Sequence, residues 1–124
     1  MKIFVVGDVV GKPGLQYLQR RLRTLKRQYG ADLVIVNGEN ASGVGITPAQ
    51  ADDIFDAGAD VITLGNHVWN KRQIVPYLEE NCYILRPANL APQLPGEGWG
   101  VYDAAGWRVL VMNLIGRCEM AFGP

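Results

Sequence analysis

Three short polar segments of this 124-residue sequence hold side chains that could do chemistry. "GDVVGKPG" (7–14) supplies Asp8, "NGEN" (37–40) supplies Glu39 and Asn40, and "GNHVWN" (65–70) supplies Asn66 and His67. His67 is the sole histidine of the sequence. Two carboxylates, several amide oxygens and one imidazole form a donor set that suits a hard or borderline divalent cation. The glycines beside them let backbone approach a ligand closely. Each segment alone has a plainer reading: an aspartate capping a turn, Asn-Gly turn chemistry, a partly buried histidine in a turn. The Glu-Asn after Asn-Gly is not required by a turn. The joint occurrence of all three segments is what points to a site.

Each segment follows an apolar run. "KIFVVG" (2–7) has no polar interior residue and reads as a buried strand. "DLVIVN" (32–37) and "DVITLG" (60–65) read as a second and a third strand. Between them, from Pro13, Leu15, Leu18, Leu22, Leu25 and Tyr29 mark one face of a helix that Gly30 ends. Thr47-Pro48 gives a second helix an N-cap and a first-turn proline, Ala51, Ile54 and Phe55 form its apolar face, and Gly58 stops it. A helix over 71–80 is expected to be broken by Pro76, and "YIL" (83–85) to form a short strand. Pro and Gly make 91–98 a loop, and "WGVYD" and "WRVLVMNL" flank Ala104-Ala105-Gly106 as a hairpin. The fold class is α/β: a β-α-β-α-β parallel sheet plus a hairpin, in one domain over 1–124. In such sheets ligands bind outside the carboxyl ends of the strands, where the three polar segments fall.

Composition narrows the function. Lys plus Arg and Asp plus Glu balance at 12 each, so net charge gives no support to a general polyanion binder. No apolar stretch approaches the roughly 20 residues of a membrane span. The first apolar run is too short for a signal sequence, which needs about 7–15 apolar residues. Cys82 and Cys118 form no CxxC pair and are expected to be reduced, in a cytoplasmic protein. The sequence stops on Gly-Pro after "LIGRCEMAF", with no capped helix or closing strand, so a C-terminally truncated chain is expected.

"GDVVGKPG", "VNGENASGVGIT", "GADVITLGNHVWNK" and "LRPAN" together resemble the amino-terminal half of a calcineurin-like metallophosphoesterase. More narrowly, they resemble the bacterial YmdB-like branch, whose members hydrolyse cyclic nucleotides. The resemblance covers essentially the whole sequence and implies the first half of an α/β/β/α sandwich. It implies two divalent metal ions, iron or manganese, and a phosphodiester substrate such as a cyclic nucleotide. On these positions Asp8 would ligate the first metal, Glu39 would bridge both, and Asn66 would bind the second through its side-chain oxygen. Asn40 would help hold phosphate oxygens, and His67 would give a proton to the leaving oxygen. Two departures stand out. Asn70 occupies a position where the branch commonly has aspartate, and the later metal-binding histidines of the family have no counterpart within residues 1–124. The chain alone is therefore expected to be inactive, an incomplete domain.

Two other function classes compete. A Rossmann-like nucleotide-binding module is disfavoured because "GDVVGKPG" fits neither the P-loop nor GxGxxG. An RNA- or protein-binding regulatory module would use the basic face of the first helix: Arg20, Arg21, Arg23, Lys26 and Arg27. The preferred reading of that face is solvation, with pairing to Asp52, Asp53 and Asp56 on the next helix. Trp69, Trp99 and Trp107 are expected in core or rim packing. A homo-oligomer is left open.

Overall fold

Residues 1–120 are described by a computed structural model of the chain. Residues 121–124, and with them the Gly-Pro end, lie outside the described residues. The elements in order are β1 (Ile3–Val6), α1 (Gly11–Tyr29), β2 (Leu33–Asn37), α2 (Pro48–Ala57), β3 (Val61–Thr63), α3 (Ile74–Glu80), β4 (Ile84–Leu85), β5 (Trp99–Ala104) and β6 (Trp107–Met112). The first four strands form one parallel sheet in the order β1-β2-β3-β4, and β5 and β6 form a separate antiparallel hairpin. The order runs without reversal, so these strands lack the switch-point crevice of a doubly wound nucleotide-binding sheet.

Alternation along each strand divides the core in two. Val34, Val36, Ile62 and Ile84 face one way, into a cluster with Leu15, Leu18 and Leu22 of α1, Ile54 of α2 and Ile74 and Leu78 of α3. Leu33, Val61 and Leu85 face the other way and pack on Tyr102, Ala104, Val109 and Val111 of the hairpin. The layers are thus helices, parallel sheet, hairpin. Burial on both faces explains why β2 and β3 read as unbroken apolar runs.

β1 corrects the expectation of a buried strand. It lies at the sheet edge, and while Phe4 and Val6 pack under the helices, Ile3 is 43% and Val5 66% exposed. The hairpin sits over β2 to β4 and leaves this face of β1 uncovered. α1 begins at Gly11, two residues before Pro13, and closes on Gly30 in the left-handed conformation at φ 61°. Tyr29 is exposed and stacks on Phe4 with ring centroids 5.8 Å apart.

Pro76 does not break α3. It stands at the third helical position, where a missing N–H costs nothing because first-turn donors have no intrahelical partner. α2 starts as expected: Thr47 and Gln50 form a reciprocal capping box, with Gln50 N–H donating to Thr47 Oγ1 and Thr47 N–H to Gln50 Oε1. The hairpin turns on Ala105 and Gly106, both at positive φ (49° and 78°), which matches the twist of the strands it joins.

Trp69 packs against the helix-side core, but Trp99 and Trp107 are 52% and 61% exposed, contrary to the packing expected of them. They sit on a hairpin whose outer side has no layer over it in this structure. The basic face of α1 is partly engaged, though not with the carboxylates of Asp52, Asp53 and Asp56. Arg23 donates to the Asp56 backbone carbonyl, and Lys26 pairs with Asp60 at 2.9 Å. Cys82 and Cys118 are both free thiols. Among the described residues no helix is long and apolar enough to cross a membrane.

Candidate metallophosphoesterase site

The carboxyl ends of β1, β2 and β3 bring the three polar segments together. Backbone hydrogen bonds set their spacing: Val9 N–H donates to Asn37 O (3.0 Å) and Gly11 N–H to Asn40 O (2.8 Å), tying the loop after β1 to the loop after β2. Gly38 N–H donates to Thr63 O (3.0 Å), tying that loop to β3. Gln50 closes the β2–α2 loop from the helix side. Its Nε2 donates to Ala41 O (3.2 Å), and its Oε1 also accepts from Ser42 Oγ. The capping-box glutamine of α2 therefore steadies the turn that carries Glu39 and Asn40.

Within this frame four of the five expected site residues form one hydrogen-bonded chain. Asn40 Nδ2 donates to Asp8 Oδ2 at 2.8 Å, and Asn40 Oδ1 lies 3.0 Å from His67 Nδ1. Glu39 Oε1 accepts the His67 backbone N–H at 3.0 Å and lies 3.1 Å from His67 Nδ1. A carboxylate can only accept, so Asp8 fixes which end of the Asn40 amide is nitrogen. The Asn40 oxygen then faces His67, and both neighbours of Nδ1 are acceptors. Nδ1 must carry its hydrogen, which leaves Nε2 as the ring nitrogen not engaged by Asn40 or Glu39.

Burial is graded across the site. The Glu39 side chain is 13% exposed and the His67 side chain 36%, while Asp8 and Asn66 are exposed. Asn66 makes no side-chain hydrogen bond among the described residues, so its amide oxygen is free. Neither Asp8 nor Glu39 has a Lys or Arg partner among the described residues. Glu39 instead packs its Oε2 against the Cα of Gly65, where an added Cβ would overlap the carboxylate. The glycine of "GNH" is there because a carboxylate occupies the space a side chain would need. The sequence suggests a close approach at Gly65, but not what approaches it.

The donor chemistry fits a divalent cation: carboxylate oxygens with no lysine or arginine partner among the described residues, and a free amide oxygen, at one sheet edge. It does not make a full coordination shell. Among the described residues no group of three or more His, Cys, Asp or Glu side chains is arranged to hold a metal ion. Asp8, Glu39 and Asn66 would thus be oxygen donors to such a site, with further ligands still needed. Asn70 is exposed, and its Cβ lies close to Gly45 in the β2–α2 loop.

The family model for YmdB-like proteins matches residues 4–123. The chain belongs to the YmdB-like family. It is 39% identical over 118 residues to the 2′,3′-cyclic-nucleotide 2′-phosphodiesterase of Bacillus subtilis, covering 94% of this chain and 45% of that protein. A crystal structure of a hypothetical protein from Thermus thermophilus superposes with a TM-score of 0.90 at 34% identity, over 98% of this chain and 47% of that one. A phosphatase structure from Mycoplasma pneumoniae does so with a TM-score of 0.85 at 32% identity, over 94% and 43%. The chain spans under half the length of these relatives. Membership of the YmdB-like family and the mixed α/β architecture, a parallel sheet with a hairpin, both match the expectations from sequence.

Proposed function

We propose that the carboxyl edge of the parallel sheet is the oxygen-donor part of a dinuclear metal site in a phosphodiesterase that acts on cyclic nucleotides or related phosphodiesters. The observation that carries this reading is the Asp8–Asn40–His67–Glu39 hydrogen-bond chain beside two carboxylates that no lysine or arginine neutralises. In support, the Bacillus subtilis relative is named a 2′,3′-cyclic-nucleotide 2′-phosphodiesterase. Asp8 would hold one divalent ion, Glu39 both and Asn66 the second, with iron or manganese as the expected metals. Bound there, the ions would supply Lewis-acid neutralisation of phosphate charge and an activated water.

The remaining chemistry belongs to this chain's own residues. His67 keeps its Nδ1 hydrogen on Asn40 and Glu39 and, as imidazolium, donates the Nε2 proton to the departing oxygen. Asn40 has a second Nδ2 hydrogen beyond the one given to Asp8, and that donor is available to a phosphate oxygen. Glu39 and Asn40 also hold the imidazole still, and that orientation is part of the catalytic advantage.

The reading predicts a contrast in activity. The natural full-length protein, supplied with manganese or iron, should hydrolyse a 2′,3′-cyclic nucleotide. Residues 1–124 alone should do so poorly, because their donors are oxygen-only and too few to fix a metal pair. Equal turnover by the short chain would show that no further ligands are needed, and the assignment of the site would fall.

A further inference from the structure

We infer that Asn113 is a positioning residue for the proposed site, acting through the backbone of the Gly65-Asn66-His67 turn. This rests on the function proposed above. Asn113 follows the last residue of β6, on the hairpin layer, and its hydrogen bonds go to none of the five candidate site residues. Its Nδ2 donates to two backbone carbonyls at once, Leu64 O at 2.6 Å and Leu85 O at 3.0 Å. Its own backbone is committed too: Asn113 N–H donates to Gly98 O at 2.9 Å, and Asn113 O accepts from Ala88 N–H at 2.8 Å. One residue therefore joins the hairpin to the carboxyl ends of both β3 and β4.

The Leu64 carbonyl matters because of the peptide it belongs to. That peptide unit joins Leu64 to Gly65, and Gly65 is where Glu39 Oε2 lies against backbone with no room for a Cβ. The next two residues are Asn66 and His67, and the His67 N–H donates to the same Glu39 carboxylate. Rotation of the Leu64–Gly65 peptide would shift the surface on which Glu39 rests and the start of the turn that carries His67. β3 ends at Thr63, so the ladder no longer holds the Leu64 carbonyl, and Leu64 is only 2% exposed. The Asn113 amide is the donor that fixes this peptide plane. A carboxylate or a methyl group at 113 could not do so, since neither donates at neutral pH.

A matched contact exists at the other end of the same two layers. Tyr102 of β5 donates its hydroxyl to Cys82 O, just before β4, at 2.6 Å. It is a hairpin-to-sheet hydrogen bond to a backbone carbonyl at the amino edge. Tyr102→Phe therefore controls for loss of interlayer bonding without disturbance of the Gly65 peptide.

The test uses the natural full-length protein carrying Asn113→Ala, Asn113→Asp or Tyr102→Phe. Turnover and KM are measured on a chromogenic phosphodiester with manganese, and amide resonances of Gly65 and His67 are recorded on the metal-free protein. In both Asn113 variants kcat should fall by about 10- to 100-fold, the scale of a small misplacement of reacting groups. KM should stay within about twofold, since no substrate contact is removed. The Gly65 and His67 resonances should move. Tyr102→Phe should lower the unfolding midpoint yet leave kcat and those resonances in place. If Asn113→Ala does not fold, the isosteric Asn113→Asp decides. Unmoved Gly65 and His67 resonances in a folded Asn113 variant, or a kcat loss equal to that of Tyr102→Phe, would overturn the proposal. A wild-type protein inactive on every phosphodiester would instead overturn the function proposed above, and the resonances alone would then decide the role of Asn113.

Discussion

At the amino ends of the sheet strands, Asp32 accepts the Lys2 backbone N–H at 2.7 Å, and Asp60 takes both the Val34 N–H (2.7 Å) and the Lys26 ammonium (2.9 Å). At the carboxyl ends, the hydrogen-bond partners among the described residues are the Asn40 amide for the Asp8 carboxylate and the backbone and ring of His67 for that of Glu39. The functional group is the same, and the sheet is the same. The amino-edge carboxylates are consumed by orphan backbone donors and a lysine, which is structural use. The carboxyl-edge carboxylates have no lysine or arginine partner among the described residues and lie beside an imidazole, an arrangement that stability alone does not require. A carboxylate in a parallel sheet is thus informative about function when its neighbours fail to use up its charge.

The sharpest way to break this contrast is to change the carboxyl edge and look for a purely structural response. In the natural full-length protein, His67→Ala should slow phosphodiester hydrolysis on the order of 10²–10⁴-fold while metal content is retained. The defect should shrink for substrates with good leaving groups, measured by comparing aryl with alkyl esters. Loss of metal in this variant would make His67 a ligand. Next in size, Gly65→Ala should push Glu39 off its seat, since the new Cβ would overlap the carboxylate. Turnover should drop about 100-fold. A crystal structure with Glu39 unmoved would refute that cause.

Changes at the amino edge should be felt in stability and nowhere else. Asp60→Ala leaves the fully buried Val34 N–H without its acceptor and should cost about 1–3 kcal/mol in denaturant titration. Lys26→Ala removes only an ion pair whose side chains are 31% and 37% exposed, and should cost less than about 1 kcal/mol. Equal losses from the two variants would show that the ion pair, not the backbone acceptor, is what matters.

A separate effect is expected at alkaline pH, away from both edges' carboxylates. Burial, then the hydrogen bond to Asp52, raises the Tyr77 phenol from its ordinary 10.0 to about 12. Burial raises Tyr102 likewise, to about 12. The unfolded chain loses these protons first as pH rises, so it binds fewer protons than the folded chain above pH 10. The stability linked to them is present below about pH 10 and is lost between about 10 and 12. Unfolding midpoints across that range should fall, less steeply in Tyr102→Phe. A flat profile would contradict the shift.

Much of the site was legible in the sequence because it sits where periodicity ends. Three apolar runs each close on a polar segment, and parallel topology then places Asp8, Glu39 and His67 at one edge. α2 was equally legible, since Thr47, Pro48 and Gly58 each act locally. β1 misled because an apolar strand reads the same whether its second face is covered or bare; only the placement of the hairpin decides. Pro76 misled because a proline inside a helix and one in its first turn differ by where the helix starts, a boundary with no capping side chain to mark it. Asn40 was legible as a candidate site residue but not as the link between Asp8 and His67. Asn113 was hidden for a different reason. Its partners are carbonyls far away in the chain, and its only sign is a polar residue just after the alternating apolar run of β6.

A manganese titration by calorimetry, run on the natural full-length wild type and on its Glu39→Gln and Asp60→Asn variants, tests the central claim that the carboxyl edge is the metal-holding edge. Both substitutions remove one negative charge from the same sheet with little change in shape. Glu39→Gln should lower manganese affinity and stoichiometry together, whereas Asp60→Asn should bind as wild type does. Unchanged binding in Glu39→Gln, or an equal loss in Asp60→Asn, would contradict the account.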